Sequence, residues 1–419
     1  MSASGVLVDI RPLRESRDFR LLYSGQTISS LGRQLTVVAA PVQVYAITDS
    51  SLAVGGLGLV QLPVVLLGSL LGGALADAYD RRRLLVITQM VLFVTSVGLA
   101  LNAAGAERLW LIYALTALQG GIFSIDQPTR NAATPMLVHK TLMPAAAALN
   151  QVLFHVGGLF GPAVAGFLIE YVNLASAYWI DAVTFLVSLV AILAVRPLPP
   201  AGGGTKAGSK SVLEGLNYLR GRQALQGTFV VDINAMVFGM PRALFPELAA
   251  TTFAGQAGAA GLLYAAPGAG GLVAAMTSGW VTRVRHQGRA VLWAVAAWGA
   301  AIAVFGMTSW FWLAFFCLAV AGAADVVSAV FRNTILQLSV PDRLRGRLSA
   351  VHIAVVTGGP RLGDAEAGAV AAVTSVRFSA ISGGLACMAG VAVIGRLMPG
   401  LGRWTLDDAV DDDEPTSGS

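Results

Sequence analysis

The sequence contains few charged residues, and this scarcity excludes an ordinary water-soluble fold. Only 12% of its 419 residues are charged, whereas 55% are hydrophobic, and the mean hydropathy is +0.69. Soluble domains carry about 25% charged residues. A chain of this size with so few charges cannot cover its surface with polar groups, so lipid must be the solvent for much of it.

Cysteine and histidine are also scarce. Cys317 and Cys387 each lie inside an apolar run, and the four histidines are scattered without the spacing of metal ligands. We therefore expect neither a disulfide framework nor a metal site. The sequence also has no nucleophile–base motif and no glycine-rich loop ending in Lys-Ser or Lys-Thr. These absences argue against an enzyme, a nucleotide-driven pump and a cofactor.

About twelve long apolar runs fill most of the chain. Each is close to the roughly 20 residues that a helix needs to cross a bilayer. The runs are continuous rather than alternating, which favours helices over the strands of a membrane barrel. We predict an all-α integral membrane protein with twelve transmembrane helices, the first an uncleaved anchor. The predicted spans are 20–46, 52–76, 82–104, 109–128, 146–169, 175–195, 226–248, 258–281, 289–308, 310–331, 347–371 and 378–398.

The positive charges are distributed unevenly between the predicted loops. Of the 28 Lys and Arg residues, 23 fall in loops on one side, and only Arg108 and Arg377 fall in loops on the other. Arg33, Arg242 and Arg361 lie within predicted helices. Positive loops stay in the cytoplasm, so we predict a multi-pass plasma-membrane protein with both termini cytoplasmic. The net charge of +5 then reflects orientation, and without a single basic face no nucleic-acid partner is expected.

The two halves of the chain are related by an internal repeat. Six helices separate the repeated positions, an even number, so the repeat is parallel, as in two halves related by an axis along the membrane normal. At a shift of 202 residues the matches are Arg130-Asn131 with Arg332-Asn333, Gly157 with Gly359, Gly161 with Gly363, and Gly166 with Gly368; at 206 they are Gly73 with Gly279 and Arg83 with Arg289.

This repeat predicts four regions along the chain. Residues 1–196 form an N-terminal six-helix half, and residues 226–403 form a C-terminal six-helix half. Between them, residues 197–225 form a flexible cytoplasmic linker with a short amphipathic helix, because apolar positions 212, 213, 216 and 219 share one helical face. Residues 404–419 form an acidic tail that we expect to be disordered and solvated.

Several segments resemble one family of transporters. In the loop from Gly72 to Arg83, a Gly-x-Leu-Ala-Asp helix end (73–77) is followed by three arginines. This loop resembles the signature loop of the major facilitator superfamily, and the chain resembles that superfamily along nearly its whole length. Within it, the chain is similar to the branch of enterobactin (siderophore) exporters and of multidrug and macrolide efflux proteins. The segments that carry the likeness are 18–26, 72–83, 244–248, 260–267 and 341–347.

The resemblance implies a monomer that works by alternating access and proton antiport, with one central cavity between its halves. It also implies a cytoplasmic gate, in which the aspartate matching Asp77 meets the start of helix 11 and nearby arginines. Gly73 would let helices approach closely. Asp126 and Arg130 have the i,i+4 spacing of an ion pair, either a contact that breaks during transport or a static cap. The gate candidates are Gly73, Asp77, Arg81, Arg82, Arg83, Asp126, Arg130 and Arg347.

Helix 5 resembles the Gly-Pro motif of drug antiporters. Gly157, Gly161 and Ala165 would form a face of small residues for tight helix packing, and Pro162 would free a backbone carbonyl. Ala165 departs from the family pattern, which ends in two glycines. The motif favours export, although tight packing alone would also explain these residues. The candidates are Gly157, Gly161, Pro162 and Gly166.

Ionisable side chains within predicted helices should face protein or water rather than lipid. In helix 11, Arg361 can pair with Asp364, whereas Glu366 lies on another face and is either unpaired or paired elsewhere. An unpaired buried carboxyl group could carry a proton. Each acid could equally belong to a structural ion pair, so the choice stays open. The candidates for proton coupling or for the cavity are Arg33, Asp232, Arg242, Asp325, Arg361, Asp364 and Glu366.

These observations predict a secondary active exporter of an amphipathic small molecule, such as a siderophore, a drug or a secondary metabolite. The alternative within transport is a nutrient importer of the same fold, against which the helix 5 motif argues weakly. A non-transporting membrane receptor or assembly protein is a third possibility, although such a protein would not need ionisable residues in its interior.

Overall fold

The structure, a computed structural model, describes residues 9–199 and 217–408, apart from a few side chains that include those of 342–347. Long helices joined by short turns account for nearly all of the described chain. Their bounds are α1 Arg11–Glu15, α2 Arg17–Thr48, α3 Ser51–Ala78, α4 Arg81–Leu101, α5 Leu109–Leu137, α6 Met143–Tyr171, α7 Leu174–Leu193, α8 Gln223–Phe238, α9 Phe245–Ala250, α10 Ala259–Met276, α11 Gln287–Met307, α12 Phe311–Leu338, α13 Asp342–Val373, α14 Val376–Leu397 and α15 Pro399–Arg403.

Ten of the described helical segments are long and apolar enough to cross a membrane. The predicted first and eleventh spans correspond to α2 and α13, each 32 residues long, which are not among the ten. Both helices carry ionisable side chains within the predicted span, Arg33 in α2 and Arg361, Asp364 and Glu366 in α13. The predicted number of twelve spans and the cytoplasmic position of the termini stay predictions.

The chain divides into two compact units. Unit 1 comprises Met1–Ala207 and Arg242–Ala269, and unit 2 comprises Gly208–Pro241 and Gly270–Ser419. The short segment 242–269 groups with unit 1 although it lies in the predicted C-terminal half. The predicted domain boundaries stay a prediction. Most of the predicted linker and residues 409–419 of the predicted acidic tail lie outside the described residues, whereas Trp404, at the start of that predicted disordered tail, is buried.

Each unit is a bundle of packed helices. In unit 1, α2 packs against α6 and α7, α4 packs against α5 and α7, and α3 packs against α5. In unit 2, α11 packs against α12 and α14, and α13 packs against α8 and α14. Helix starts follow local capping rules: the Ser16 hydroxyl accepts a hydrogen bond from the Phe19 N–H at 3.1 Å, and the Asn173 side chain accepts one from Ser176 at 2.8 Å.

One predicted helix is interrupted. The span predicted at 226–248 corresponds to the apolar helical segment Gln223–Ala250, in which α8 ends at Phe238, three residues before Pro241, and α9 begins at Phe245. Proline lacks the N–H that would continue the helix and restricts the residue before it. Arg242, predicted to lie within this helix, begins a 3-10 turn instead, and its carbonyl accepts a hydrogen bond from the Tyr264 hydroxyl at 3.0 Å.

Candidate functional site

A buried ion pair lies in the interior of unit 1. The Nε of Arg130 donates to Oδ2 of Asp126, one turn earlier on α5, at 2.6 Å, and both side chains are only 2–3% exposed. The other oxygen of Asp126 accepts from the Thr88 hydroxyl at 2.6 Å and from the Gln89 amide at 3.0 Å. The expected i,i+4 pair is therefore present and is buried between α4 and α5. Its breaking during transport stays a prediction.

A small pocket in unit 1 adjoins this pair. Arg33 of α2 places its guanidinium carbon 4.0 Å from the centre of the Phe123 ring, a cation–π contact. The buried Arg33 Nε, Arg130 Nη1 and Gln89 Oε1 have no hydrogen-bond partner among the described residues. These atoms could bind polar groups of a ligand or ordered water. The pocket is lined by Gln26, Ser29, Ser30, Gln89, Leu92, Phe123, Asp126, Gln127, Arg130 and Phe185.

Asp181 of α7 is a fully buried acid that sequence reasoning missed. Its Oδ2 accepts from the hydroxyls of Thr36 in α2, at 2.6 Å, and Ser96 in α4, at 2.9 Å. The oxygen of Ser96 accepts in turn from the Gln119 amide of α5 at 2.8 Å, so four helices share one polar network. The signal was available, because Asp181 is the one charged residue of the predicted span 175–195.

Unit 2 also buries an arginine, Arg332 of α12. Its Nη1 pairs with Asp232 of α8, and its Nη2 lies 3.6 Å from Asp325, two turns earlier on α12. Arg332 and Asp232 are almost fully buried, whereas a third of the Asp325 side chain is exposed. Two of the predicted proton-coupling acids thus share one arginine. This arrangement matches the alternative in which both acids belong to a structural ion pair.

The other ionisable candidates of unit 2 lie on α13. Arg361 donates to the carbonyl of Thr357, one turn earlier. Asp364 and Glu366 follow on the same helix, and both are half-buried. Their role in proton coupling stays a prediction.

The turn between α3 and α4 is anchored within unit 1 by two of the three arginines that begin α4. Arg81 is buried, and its Nη1 donates to the sulfur of Met136 at 2.8 Å. The Nη2 of Arg82 donates to the Leu193 carbonyl at 2.5 Å. Leu193 ends α7, where backbone carbonyls lack partners within the helix. These two contacts hold the loop against the ends of neighbouring helices.

Asp77, in the last turn of α3, is accessible to solvent. Asp77 is about half exposed, and its carboxylate lies 3.9 Å from the Nη2 of Arg81. Arg83 is exposed, and its backbone N–H donates to the side chain of Asp80, which caps α4. The predicted contact of Asp77 with the start of α13 stays a prediction, and the Arg347 side chain lies outside those that the structure describes.

Gly73 makes no close approach to the described residues, and its place in the gate stays a prediction, because the side chains of 342–347 lie outside those that the structure describes. A Cβ placed on Gly73 would meet no described atom within 4 Å, whereas one on Gly72 would lie 2.8 Å from the Ser124 carbonyl oxygen. One on Gly68 would clash with the carbonyl of Gly121. The face of α3 that packs on α5 therefore passes through Gly68 and Gly72, which are four residues apart on one side of the helix.

The predicted helix 5 corresponds to α6, and its glycine face also differs from the prediction. A Cβ on Gly161 would clash with Gln34 of α2, as tight packing requires, but one on Gly157 would meet no described atom within 4 Å. A second tight contact passes through Gly166, where a Cβ would lie 2.8 Å from the Cα of Gly261 in α10. The predicted face of Gly157, Gly161 and Ala165 is therefore only partly correct, because α6 packs against two elements on different sides.

Together these features define a class of protein. Bundles of apolar helices enclose ionisable side chains, as expected for a protein that moves polar material through a membrane. The described residues contain no group of side chains that could hold a metal ion. The sequence model of the transmembrane secretion effectors, a branch of the major facilitator superfamily, matches residues 8–408. The chain belongs to this family, so it is a membrane transporter and not an enzyme.

Individual relatives agree with this assignment. The chain is 28% identical over 399 residues to the enterobactin exporter EntS of Shigella boydii serotype 18 and to that of Escherichia coli O81, covering 95% of each chain. Among solved structures, a POT family transporter in complex with 5-aminolevulinic acid matches with a TM-score of 0.73 at 11% identity, covering 92% of this chain and 97% of that one. The nucleoside transporter NupG matches with a TM-score of 0.73 at 12% identity, covering 93% and 100%. These structures share the fold.

Proposed function

We propose that this protein exports an amphipathic small molecule by proton antiport, as a monomer with both termini in the cytoplasm. The observation that carries the proposal is the family match along nearly the whole chain, with exporters as relatives over 95% of it. Because those relatives are enterobactin exporters, a siderophore is the narrower proposal for the substrate. The peptide and nucleoside transporters are too distant in sequence to bear on this choice.

The pocket of unit 1, with about 260 Å³ of empty space, is too small for a whole siderophore or macrolide, but its lining suits contact with one part of an amphipathic substrate. Its lining combines the apolar side chains of Leu92, Phe123 and Phe185 with amide, hydroxyl and charged groups. Ligand sites commonly pair apolar walls with a few placed polar groups. The unpartnered Nη1 of Arg130 and Oε1 of Gln89 offer one donor and one acceptor to such a ligand.

The buried acids support coupling to protons. Asp126, Asp181 and Asp232 are each almost completely buried inside their unit, and of these three Asp181 is bonded to hydroxyl groups rather than to an arginine. Ionisable residues inside membrane-spanning segments are expensive, and they mark ion or proton pathways. The Gly-Pro motif of α6 and the exporter relatives support the outward direction, with the importer as the alternative.

Transport in vesicles tests direction and coupling together. Inside-out vesicles containing the full chain would receive an imposed proton gradient, and uptake of enterobactin and of a macrolide would be measured with and without an uncoupler. We expect uptake that depends on the gradient and is absent from vesicles without the protein. Uptake only in right-side-out vesicles would contradict export and favour the importer. Uptake that ignores the uncoupler would contradict proton antiport.

A further inference from the structure

We propose that the carboxyl group of Asp181 is the proton-binding site of this transporter. The proposal rests on the proposed proton antiport and deepens it by choosing one residue. Asp181 lies near the middle of α7, with no exposed surface. Asp181 differs from Asp126 and Asp232, the other almost fully buried acids of the described residues, in the groups that donate to its oxygens.

The two oxygens of Asp181 have different surroundings. Oδ2 accepts from the hydroxyls of Thr36 and Ser96, whereas Oδ1 is buried with no hydrogen-bond partner among the described residues. A buried carboxylate oxygen without a donor favours the protonated form, since taking a carboxylate out of water disfavours its charge. Oδ1 is thus the atom at which a proton would bind. Hydroxyl groups both donate and accept, so Thr36 and Ser96 can stay bonded in either protonation state.

The other buried acids are held as ions. Asp126 receives a direct donor from Arg130 at 2.6 Å and further donors on its second oxygen. Asp232 also has one buried oxygen without a hydrogen-bond partner among the described residues, but its other oxygen pairs directly with Arg332. A proton would have to compete with an arginine at each of these sites, because charge-assisted pairs favour the ionised carboxylate. Asp181 has hydroxyl donors in place of a bonded arginine.

Arg33 connects Asp181 to the pocket. The guanidinium of Arg33 interacts electrostatically with both Asp181 and Asp126 and stacks on Phe123, which lines the pocket. Other groups facing Asp181 are Tyr178 on α7 itself and the neutral Ser96 and Gln119 on α4 and α5.

The net charge beside the pocket therefore depends on whether Asp181 is ionised. Asp126 is already paired with Arg130, so Arg33 is balanced only while Asp181 is ionised. When Oδ1 binds a proton from the aqueous phase, the positive charge of Arg33 is left unbalanced. A substrate whose affinity depends on that charge binds one protonation state of Asp181 better than the other. Where the preferred state is the ionised one, the proton and the substrate occupy the protein in turn, as antiport requires.

Infrared spectroscopy of the detergent-solubilised full chain tests the proton site without any substrate. The carbonyl stretch of protonated carboxyl groups would be followed against pH in the wild type, in Asp181→Asn and in the matched control Asp49→Asn. Asp49 is exposed and has a left-handed backbone conformation that asparagine also adopts readily. We expect the wild type to show a titrating band that Asp181→Asn lacks and Asp49→Asn keeps. A titrating band that persists unchanged in Asp181→Asn would overturn the proposal.

Folding and transport provide the remaining controls. If Asp181→Asn does not yield folded protein, Asp181→Glu should retain the band with a shifted titration midpoint, and an unshifted midpoint would overturn the proposal. In proteoliposomes, Asp181→Asn should lose gradient-driven enterobactin uptake but keep exchange of enterobactin across the membrane without a gradient. Normal gradient-driven uptake by Asp181→Asn overturns this proposal alone. Gradient-independent uptake by the wild type overturns proton antiport, and with it the role of Asp181.

Discussion

The two units bury an arginine at the same position of the repeat but neutralise it differently. Arg130 and Arg332 are 202 residues apart, and each is almost fully buried. In unit 1 the acid comes from the same helix, one turn earlier, at Asp126. In unit 2 the matching position is Ser328, and the buried acid comes from α8, at Asp232. The shared feature is the position of the positive charge, whereas the balancing acid comes from whichever element lies within reach.

A second difference concerns α7 and α14, which begin 202 residues apart at Leu174 and Val376. The position that matches Asp181 is Gly383, where an added Cβ would lie 2.6 Å from the carbonyl oxygen of Phe238. Backbone fills in unit 2 the space that a carboxyl group occupies in unit 1. Two halves of one repeat can thus have the same helix order while only one of them has room for a buried acid at this place.

The largest difference in stability between the units is expected when the two buried arginines, Arg130 and Arg332, are removed. Arg332→Ala should lower the free energy of unfolding by about 3–5 kcal/mol, because Asp232 would be left as a buried, unpaired charge. Arg130→Ala should lower it less, since Asp126 keeps the donors Thr88 and Gln89. Denaturation of each purified variant in detergent, followed by circular dichroism, measures the difference.

The double variant Asp232→Asn with Arg332→Gln serves as the control for this comparison. It removes both charges and should recover part of the stability that Arg332→Ala loses. Equal losses for Arg130→Ala and Arg332→Ala would contradict the view that unit 2 depends more strongly on its arginine.

A smaller effect is expected at a pair of repeat-related glycines. Gly359→Ala would place a Cβ 2.8 Å from the sulfur of Met236, so it should lower stability by about 1–3 kcal/mol. At Gly157 no described atom lies within 4 Å of the added Cβ, so Gly157→Ala should be neutral or raise stability by up to about 1 kcal/mol. Thermal unfolding of the two variants in one detergent compares them. A larger loss at Gly157 would show that unit 1 packs more tightly there than the structure indicates.

The smallest effect on stability is expected in the loop between α3 and α4. Asp77 is half exposed and lies 3.9 Å from Arg81, so Asp77→Asn should change stability by less than about 1 kcal/mol. Transport should nevertheless fall while the protein stays in the membrane, because we predict a gating role for Asp77. Arg283, exposed and 206 residues later, is the matching position in unit 2, and Arg283→Gln is the control. Normal transport by a well-expressed Asp77→Asn variant would contradict the gating role.

Much of the helical layout could be predicted from the sequence, because continuous apolar runs of about 20 residues have few alternatives in lipid. The end of α8 is an instructive exception. The composition of 226–248 is apolar enough for one continuous helix, yet Pro241 lies within it, and the helix ends before that residue. Hydropathy averaged over a window does not register a single residue that breaks the hydrogen-bond ladder.

The candidate site could be predicted only in part. The Asp126–Arg130 pair follows from i,i+4 spacing on one helix, so local geometry was sufficient. The pairing of Asp232 with Arg332 joins residues 100 positions apart, and no local rule connects them. The packing glycines show the same limit: adjacent Gly72 and Gly73 are chemically identical, and only the position of α5 distinguishes them.

The sequence by itself determined that this protein is an integral membrane protein, that it is built from long apolar helices, and that it resembles exporters. These properties depend on composition, periodicity and motif, all of which can be read along the chain. Only the tertiary structure decided which buried acids are held by arginine and which is not. The ionisation of a buried carboxyl group depends on the donors around each oxygen, and for Asp181 those donors come from other helices, at Thr36 and Ser96.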